Sequence, residues 1–288
     1  MKNRFRLMRT DYEREAEGDR IEPQKVFYLS VEGNVTEAEY FEGISKYREQ
    51  LGINGRVDVE ILGRSSKDTN SAPRYVLELL EEFLVLRELG QERLIEEIPL
   101  LFIQKYGEEF IRTYIQNPCE IPKKERNRFA GDLRKIGYDI NYRKFLSIYK
   151  NEGDEFGILI DRDSLAHSEQ EILECLQHCK KSGYHFFISN PCFEFWLLLH
   201  LSDVKEEYKD RLDEILENQK ISRRHTFVSK EVSDKAHHGK SGIDFEKNYL
   251  PYVFTAARRA KMFEAGDEQL ASRIGCNLWK MMDILKAF

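Results

Sequence analysis

Three acidic residues follow short apolar runs in an arrangement that suits divalent-metal chemistry. Glu32 closes VFYLSV (26–31) and is followed by Gly33, while Asp161 and Asp163 close FGILI (156–160). Carboxylate oxygens are hard ligands, and Mg2+ or Mn2+ takes one or two of them, keeps waters and meets substrate phosphates. Such an ion can activate a water and neutralise charge on a phosphodiester. Residues two apart in an extended chain face the same side, so Asp161 and Asp163 are expected to face one point; as isolated features these acids would be ordinary turn residues. Glu194 is a fourth candidate, because it stands in the apolar run CFEFWLLLHL (192–201). A charge there is costly unless paired or metal-bound, although an acid in a first helical turn can also be satisfied by backbone N–H groups. Glu37 stands in the first turn of the helix after Glu32, where an acid favours the helix start.

Other polar positions carry less chemistry. His200 reads as a core histidine sooner than a proton carrier. Lys240, in His237-His238-Gly239-Lys240-Ser241-Gly242, lacks the preceding glycine spacing of a phosphate-binding loop, which argues against ATP hydrolysis by this chain. Cys175, His178 and Cys179 share one helix, but without a second cysteine pair they do not make a zinc site.

The elements that must position these groups are legible in the apolar pattern. VFYLSV predicts a strand buried on both faces. A helix follows with Thr36 as its N-cap and Tyr40, Phe41, Ile44 and Tyr47 on one face. VDVEIL (57–62) is a second strand and Pro73 opens a helix through Leu89. Residues 92–150 read as successive helices without a strand, an insertion. FGILI, a helix from Ser168 to Lys181, a fourth strand HFFIS (185–189) and the buried helix 192–201 follow. Helices are expected at 204–219, 245–264 and 267–288. Strand and helix alternation gives an α/β core with a parallel sheet by the right-handed crossover rule, whose sites gather at the carboxyl ends of the strands. The expected division is a leader at 1–24, a core at 25–91 and 151–202, an insertion at 92–150 and a helical C-terminal region at 203–288.

The 288 residues, 41% hydrophobic and 33% charged, are enough for a proper core. No apolar run suits a membrane span or secretory signal, so a soluble, cytoplasmic chain with no membrane partner is expected. Five cysteines, an odd number in a chain of this size, read as reduced thiols. The net charge of −6 excludes a histone-like binder. It hides an asymmetry: 121–150 holds nine Lys/Arg against three acids, and 220–261 holds ten against four, +6 each, which leaves −18 elsewhere. Such segments are either solvated helix faces or surfaces that meet a polyanion.

A strand ending in Glu32-Gly33 and a later strand ending in Asp161-Arg162-Asp163 resemble the Toprim metal-binding module of topoisomerases, primases and OLD-type nucleases. VEGNVTEAEYF (31–41), the Asp161-Arg162-Asp163 run, SNPCFEFWLLLH (189–200) and, more loosely, 245–261 resemble the RloB family of phage-defence proteins. The resemblance implies a Toprim-like sheet, with Asp161 and Asp163 holding Mg2+ or Mn2+, Glu32 acting as ligand or acid/base group, and Glu37 as a further metal ligand, one position later than the second metal-binding acid of related nucleases. It further implies a nuclease effector of abortive infection, beside an ABC-type ATPase partner. Its substrate would be RNA, a tRNA included, or DNA. A non-catalytic nucleic-acid-binding or regulatory subunit docking on that ATPase is the alternative reading. A phosphotransferase or primase would need a nucleotide-binding element that is not found, and self-association is left open. Residues 92–150 fall outside the resemblance.

Overall fold

A continuous apolar run is what a strand needs when helices cover both faces of its sheet, and β1 (Lys25–Val31) is buried from Val26 onward. It lies parallel between β2 (Val57–Ile61) and β3 (Glu155–Asp161). β4 (His185–Asn190) adds in parallel beyond β3, and the two-residue β5 (Gly275–Cys276) closes that side antiparallel, giving the order β2-β1-β3-β4-β5. β2, at the other edge, is only partly buried. A mostly parallel sheet flanked by helices is consistent with a Toprim-like α/β fold. The computed structural model describes residues 7–8, 25–33, 35–64, 72–148, 150–237 and 243–287.

In chain order the helices begin with α1 (Thr36–Lys46) after β1 and α2 (Pro73–Glu97) after β2. Then come α3 (Leu100–Tyr106), α4 (Glu108–Gln116), α5 (Lys123–Lys135) and α6 (Ile140–Ile148) before β3. α7 (Glu169–Ser182) joins β3 to β4, and α8 (Phe193–Leu201) follows β4. The C-terminal part holds α9 (Val204–Glu207), α10 (Leu212–Glu217), α11 (Phe227–Lys235), α12 (Phe245–Asn248), α13 (Val253–Lys261) and α14 (Trp279–Ala287). The long helices expected at 204–219 and 245–264 are thus short pieces, and 267–288 contains a strand before its helix. Local terms explain the best-bounded helix: Ser168 and Glu171 form a capping box at the start of α7, and Gly183, left-handed at φ 74°, ends it. α1 starts one residue off expectation, with Val35 rather than Thr36 at its N-cap and no side-chain cap bond.

Two compact units make up the chain. One comprises Arg20–Ile61, Ser71–Leu77 and Gly153–Phe288, and the other Met1–Asp19, Leu62–Asn70 and Glu78–Glu152. The second of these units takes in most of α2 together with α3 to α6, and the C-terminal region belongs to the unit of the sheet. α8 is the reason for the latter: all but Glu194 and Leu201 of its residues are buried, Trp196 and Leu198 among them, against a core that takes in Val228, Val253, Ala256 and Met281. Within the helical unit, Phe129, Leu133, Tyr138 and Ile115 are buried, and the fully buried Arg143 is held by Glu82 and, at 2.8 Å, Glu97. Of the expected leader, Leu7 is fully buried and bridges Arg64, whereas the rest of 1–24 lies outside the described residues. The cysteines are free, and all but Cys119 are buried. Among the described residues no helix is long and apolar enough to cross a membrane.

Candidate active site

β3 ends at Asp161, beside the start of α8 and the end of β1. The Asp161 N–H donates to Glu32 Oε2 at 3.2 Å, so the residue after β1 folds back onto the end of the neighbouring strand. Burial raises the Asp161 carboxyl well above the ordinary range, and the negative charges of Glu32, Glu37 and Glu194 raise it further. The Phe193 N–H, at the start of α8, opposes this by donating to it. Glu37 is also buried, and desolvation, with Glu194 and Glu32 nearby, lifts its carboxyl to about 7. Four of the five candidate acids therefore act on one another around the end of β3.

Gly33 explains how Glu37 comes to lie there. Its N–H donates to Glu37 Oε1 at 2.9 Å, and a Cβ at this position would collide with the same carboxylate. The Glu-Gly pair thus supplies an acid and the open space for a second one.

Asp163 is placed differently from the two-residue alternation expected of an extended chain. The strand stops at Asp161, and Asp163 sits in a turn at φ 26°. Its N–H donates to the Pro191 carbonyl at 2.9 Å, and its own carboxylate accepts the Leu165 N–H at 3.3 Å. It is exposed at the rim of the cavity that Asp161 and Glu194 also line. That cavity, about 730 Å3, is also lined by Thr36, by Leu165 on the loop after β3, by the start of α8, by residues between 217 and 237 and by residues in and around α12.

Several residues that hold the site escape a reading of motifs. His167 is buried, with Nε2 3.7 Å from Glu32 Oε1, and Glu32 raises its pKa. Arg162, buried between the two aspartates, donates to the carbonyls of Ala271 and His167 and so pins the loop after β3. Ser189 Oγ donates to the Cys192 carbonyl at 2.6 Å, across the cis Asn190–Pro191 peptide. The single hint of His167 in the sequence is its place six residues after Asp161. Arg162 shows no hint at all, since an arginine between two acids looks like a solvent-facing turn.

His200 is a core group, as expected. Its Nδ1–H donates to the Trp196 carbonyl at 2.9 Å and its Nε2 accepts from the Tyr40 hydroxyl at 3.2 Å, amid the rings of Trp196 and Tyr249. Burial lowers its pKa to about 3. Cys175 and Cys179 are buried thiols of α7. The Lys240 loop lies outside the described residues, apart from His237, whose N–H donates to Asn248 Oδ1 at 2.8 Å.

Hard oxygens, like charges and raised carboxyl groups are the donor chemistry that a divalent cation relieves. Among the described residues, however, no three His, Cys, Asp or Glu side chains are gathered so as to hold a metal ion. The acids instead engage protein donors, Glu32 the Asp161 N–H and Glu37 the Gly33 N–H.

Fold and site together define an α/β protein with interacting carboxylates at the carboxyl edge of a mostly parallel sheet. The family model described as RloB-like protein matches residues 27–285, and the chain belongs to the RloB-like family. No curated protein and no solved structure matches the chain.

Proposed function

We propose that the chain is a divalent-metal-dependent nuclease effector of a bacterial anti-phage system, cleaving RNA or DNA phosphodiesters when a partner ATPase activates it. One observation carries this reading. Asp161 is held at the end of a central strand, its carboxyl raised first by burial and then by three neighbouring carboxylates, on a cavity open to a ligand. A protein that only needed to fold would gain from removing that repulsion, and such concentrations of perturbed acids mark functional sites. Asp161, Glu32 and Glu37 would be the residues to hold Mg2+ or Mn2+, with Asp163 joining from the rim, although among the described residues they are not gathered into a metal cluster. When bound, the ion supplies Lewis-acid activation of water and neutralises charge on the phosphodiester.

The chain's own residues supply the rest. His167, its pKa raised beside Glu32, orients that carboxylate and can carry a proton for it. Glu194, in the first turn of α8, sits at the helix's positive end and stays within reach of the cavity. Arg162 keeps the loop between Asp161 and Asp163 fixed.

Purified protein incubated with total tRNA and with plasmid DNA, in Mg2+, Mn2+ or EDTA, tests this reading. Cleavage is expected with metal and lost in EDTA. Asp161→Asn, which keeps the shape and removes the anchoring charge, should abolish cleavage without loss of folding. In cells the wild-type chain should be toxic when the ATPase is absent or triggered, and the variant should not. Equal cleavage in EDTA, or full toxicity of Asp161→Asn, overturns the proposal. The second reading, a non-catalytic nucleic-acid-binding or regulatory subunit docked on the ATPase, is favoured by the engagement of Glu32 and Glu37 with backbone N–H groups. It predicts metal-independent binding with no cleavage.

A further inference from the structure

The basic segment 220–261 is not uniformly basic once its partners are counted. Lys230 pairs with Asp234, Lys235 with Glu207, Lys247 with Asp244 and Lys261 with Asp283. Arg259 donates to the Leu199 and His200 carbonyls at the end of α8. Among the described residues of this segment, Lys220, Arg223, Arg224 and Arg258 are exposed and have no ion-pair partner, and the first three fall within five positions of one another.

The backbone that carries them is fixed. Lys220 and Thr226 form an antiparallel bridge, and the N–H groups of Ile221 and Ser222 donate to the His225 carbonyl at 3.0 and 3.1 Å. The Ser222 hydroxyl accepts from the N–H groups of Arg224 and His225 at 3.2 and 3.0 Å. Thr226 then opens α11 with a capping box to Ser229. This is a tied hairpin, not a solvated helix face.

Lys220, Arg224 and His225 line the same cavity as Asp161, Asp163 and Glu194. Exposed cations without ion-pair partners, on the cavity that Asp161, Asp163 and Glu194 also line, are a poor arrangement for stability alone, because each cation would gain from pairing. They suit a ligand that carries negative charge to the hairpin and a scissile bond to the acids. The cavity's volume of about 730 Å3 lies within the roughly 300–1,000 Å3 of pockets for single small ligands. That is room for one or two nucleotides. A duplex, whose major groove alone is about 12 Å wide, does not enter. At the rim Leu165 is 84% exposed, next to Asp163 on the loop after β3. An apolar side chain beside such an opening is placed to pack on an unstacked base.

We infer that the cavity binds a single-stranded or extruded segment of nucleic acid, with Lys220 and Arg224 on the 220–226 hairpin holding its phosphates and Leu165 packing on a base. This rests on the nuclease reading for what happens to the bound strand, but not for the binding itself. The hairpin selects the substrate by backbone charge and Leu165 by access to a base face, so single strands, loops and bulges are preferred over continuous duplex.

Fluorescence anisotropy in EDTA, where no cleavage occurs, tests it with labelled single-stranded RNA, single-stranded DNA and a duplex of the same sequence. The wild-type chain should bind one or both single strands at least ~10-fold more tightly than the duplex. Lys220→Glu with Arg224→Glu should weaken that binding at least ~10-fold. It should also flatten the dependence of log affinity on log salt by about 1.4, at about 0.7 per phosphate contact on a single strand. Leu165→Ala should weaken single-strand binding several-fold with the salt slope unchanged, since apolar packing on a base involves no charge. Circular dichroism of both variants should match the wild type, as every substituted side chain is exposed. Duplex binding as tight as single-strand binding, or unchanged affinity and slope in the charge-reversal variant, overturns the inference. If Asp161-dependent cleavage persists in that variant at wild-type efficiency, the hairpin assignment falls while the nuclease reading stands. Hairpin-dependent single-strand binding with no cleavage in any metal leaves the hairpin assignment standing and removes the nuclease.

Discussion

His200 shows how a polar residue can be structural and still set a limit on stability. Its neutral ring joins a carbonyl and a hydroxyl in the core, and burial holds its pKa at about 3 against about 6.5 in the unfolded chain. A depressed folded pKa means that stability is fully present above pH 6.5 and is lost as pH falls toward 3. Between pH 7 and pH 4 this one group should cost about 3 kcal/mol. Urea unfolding of wild type and His200→Gln over that range checks it: the wild type should lose that much more than the variant, and parallel curves would refute the assignment. Gly33 gives a second residue-scale prediction. Gly33→Ala forces the Glu37 carboxylate away and should destabilise by about 1–3 kcal/mol through overpacking. Glu37→Asp in the same chain, one methylene shorter, should recover part of that loss; no recovery would show that the collision lies elsewhere.

At the scale of elements, the sheet's closing edge rests on a side chain. Asn277 is buried; its Oδ1 accepts the Ile188 N–H at 2.7 Å and its Nδ2 donates to the Phe186 carbonyl at 3.0 Å, so an amide continues what the two residues of β5 begin. Asn277→Leu strands those backbone groups and should cost about 2–4 kcal/mol, measured by urea unfolding; a loss below about 0.5 kcal/mol would mean that water or a shifted backbone replaces them. β1, β3, β4 and α8 were legible because each is a continuous apolar run whose burial requires no partner to be specified in advance. β5 was not, since Gly275–Cys276 is a strand only by virtue of what lies next to it. The same division runs through the site. Glu32, Asp161 and Glu194 announce themselves as charges against apolar runs, and Glu37 by its place in the first turn of α1. His167, Arg162 and the 220–226 hairpin take their roles from long-range neighbours, Glu32, Ala271 and the cavity, which no local pattern encodes.

For the whole molecule, segment charge is a coarse guide to what solvent and ligands meet. In 121–150, Arg143 is fully buried between Glu82 and Glu97, Arg134 pairs with Asp139 and Lys135 with Asp132. Arg259 holds the end of α8, so reversing its charge is a test of folding rather than of binding. The informative changes are Arg126→Glu with Arg128→Glu, and Arg258→Glu. If these segments meet a polyanion, each change should weaken nucleic-acid binding and lessen its salt dependence; titrations at two salt concentrations check this. Unchanged affinity and slope in both would assign the segments to ordinary solvated faces.

The late position of Cys276 and Asn277 bears on how the protein is made. A ribosome must add about eighty residues after Glu194 before β4 receives the strand and the amide that complete its edge. Until then the strand that carries Ser189 beside Asp161 has an open flank. A nascent or prematurely terminated chain therefore holds all of the acids without the finished sheet, and the site is complete only in chains translated almost to residue 277. Chains ended after Ser272 should be cleaved by protease within β4 far faster than the full chain, and equal protection would show that the sheet edge closes without them.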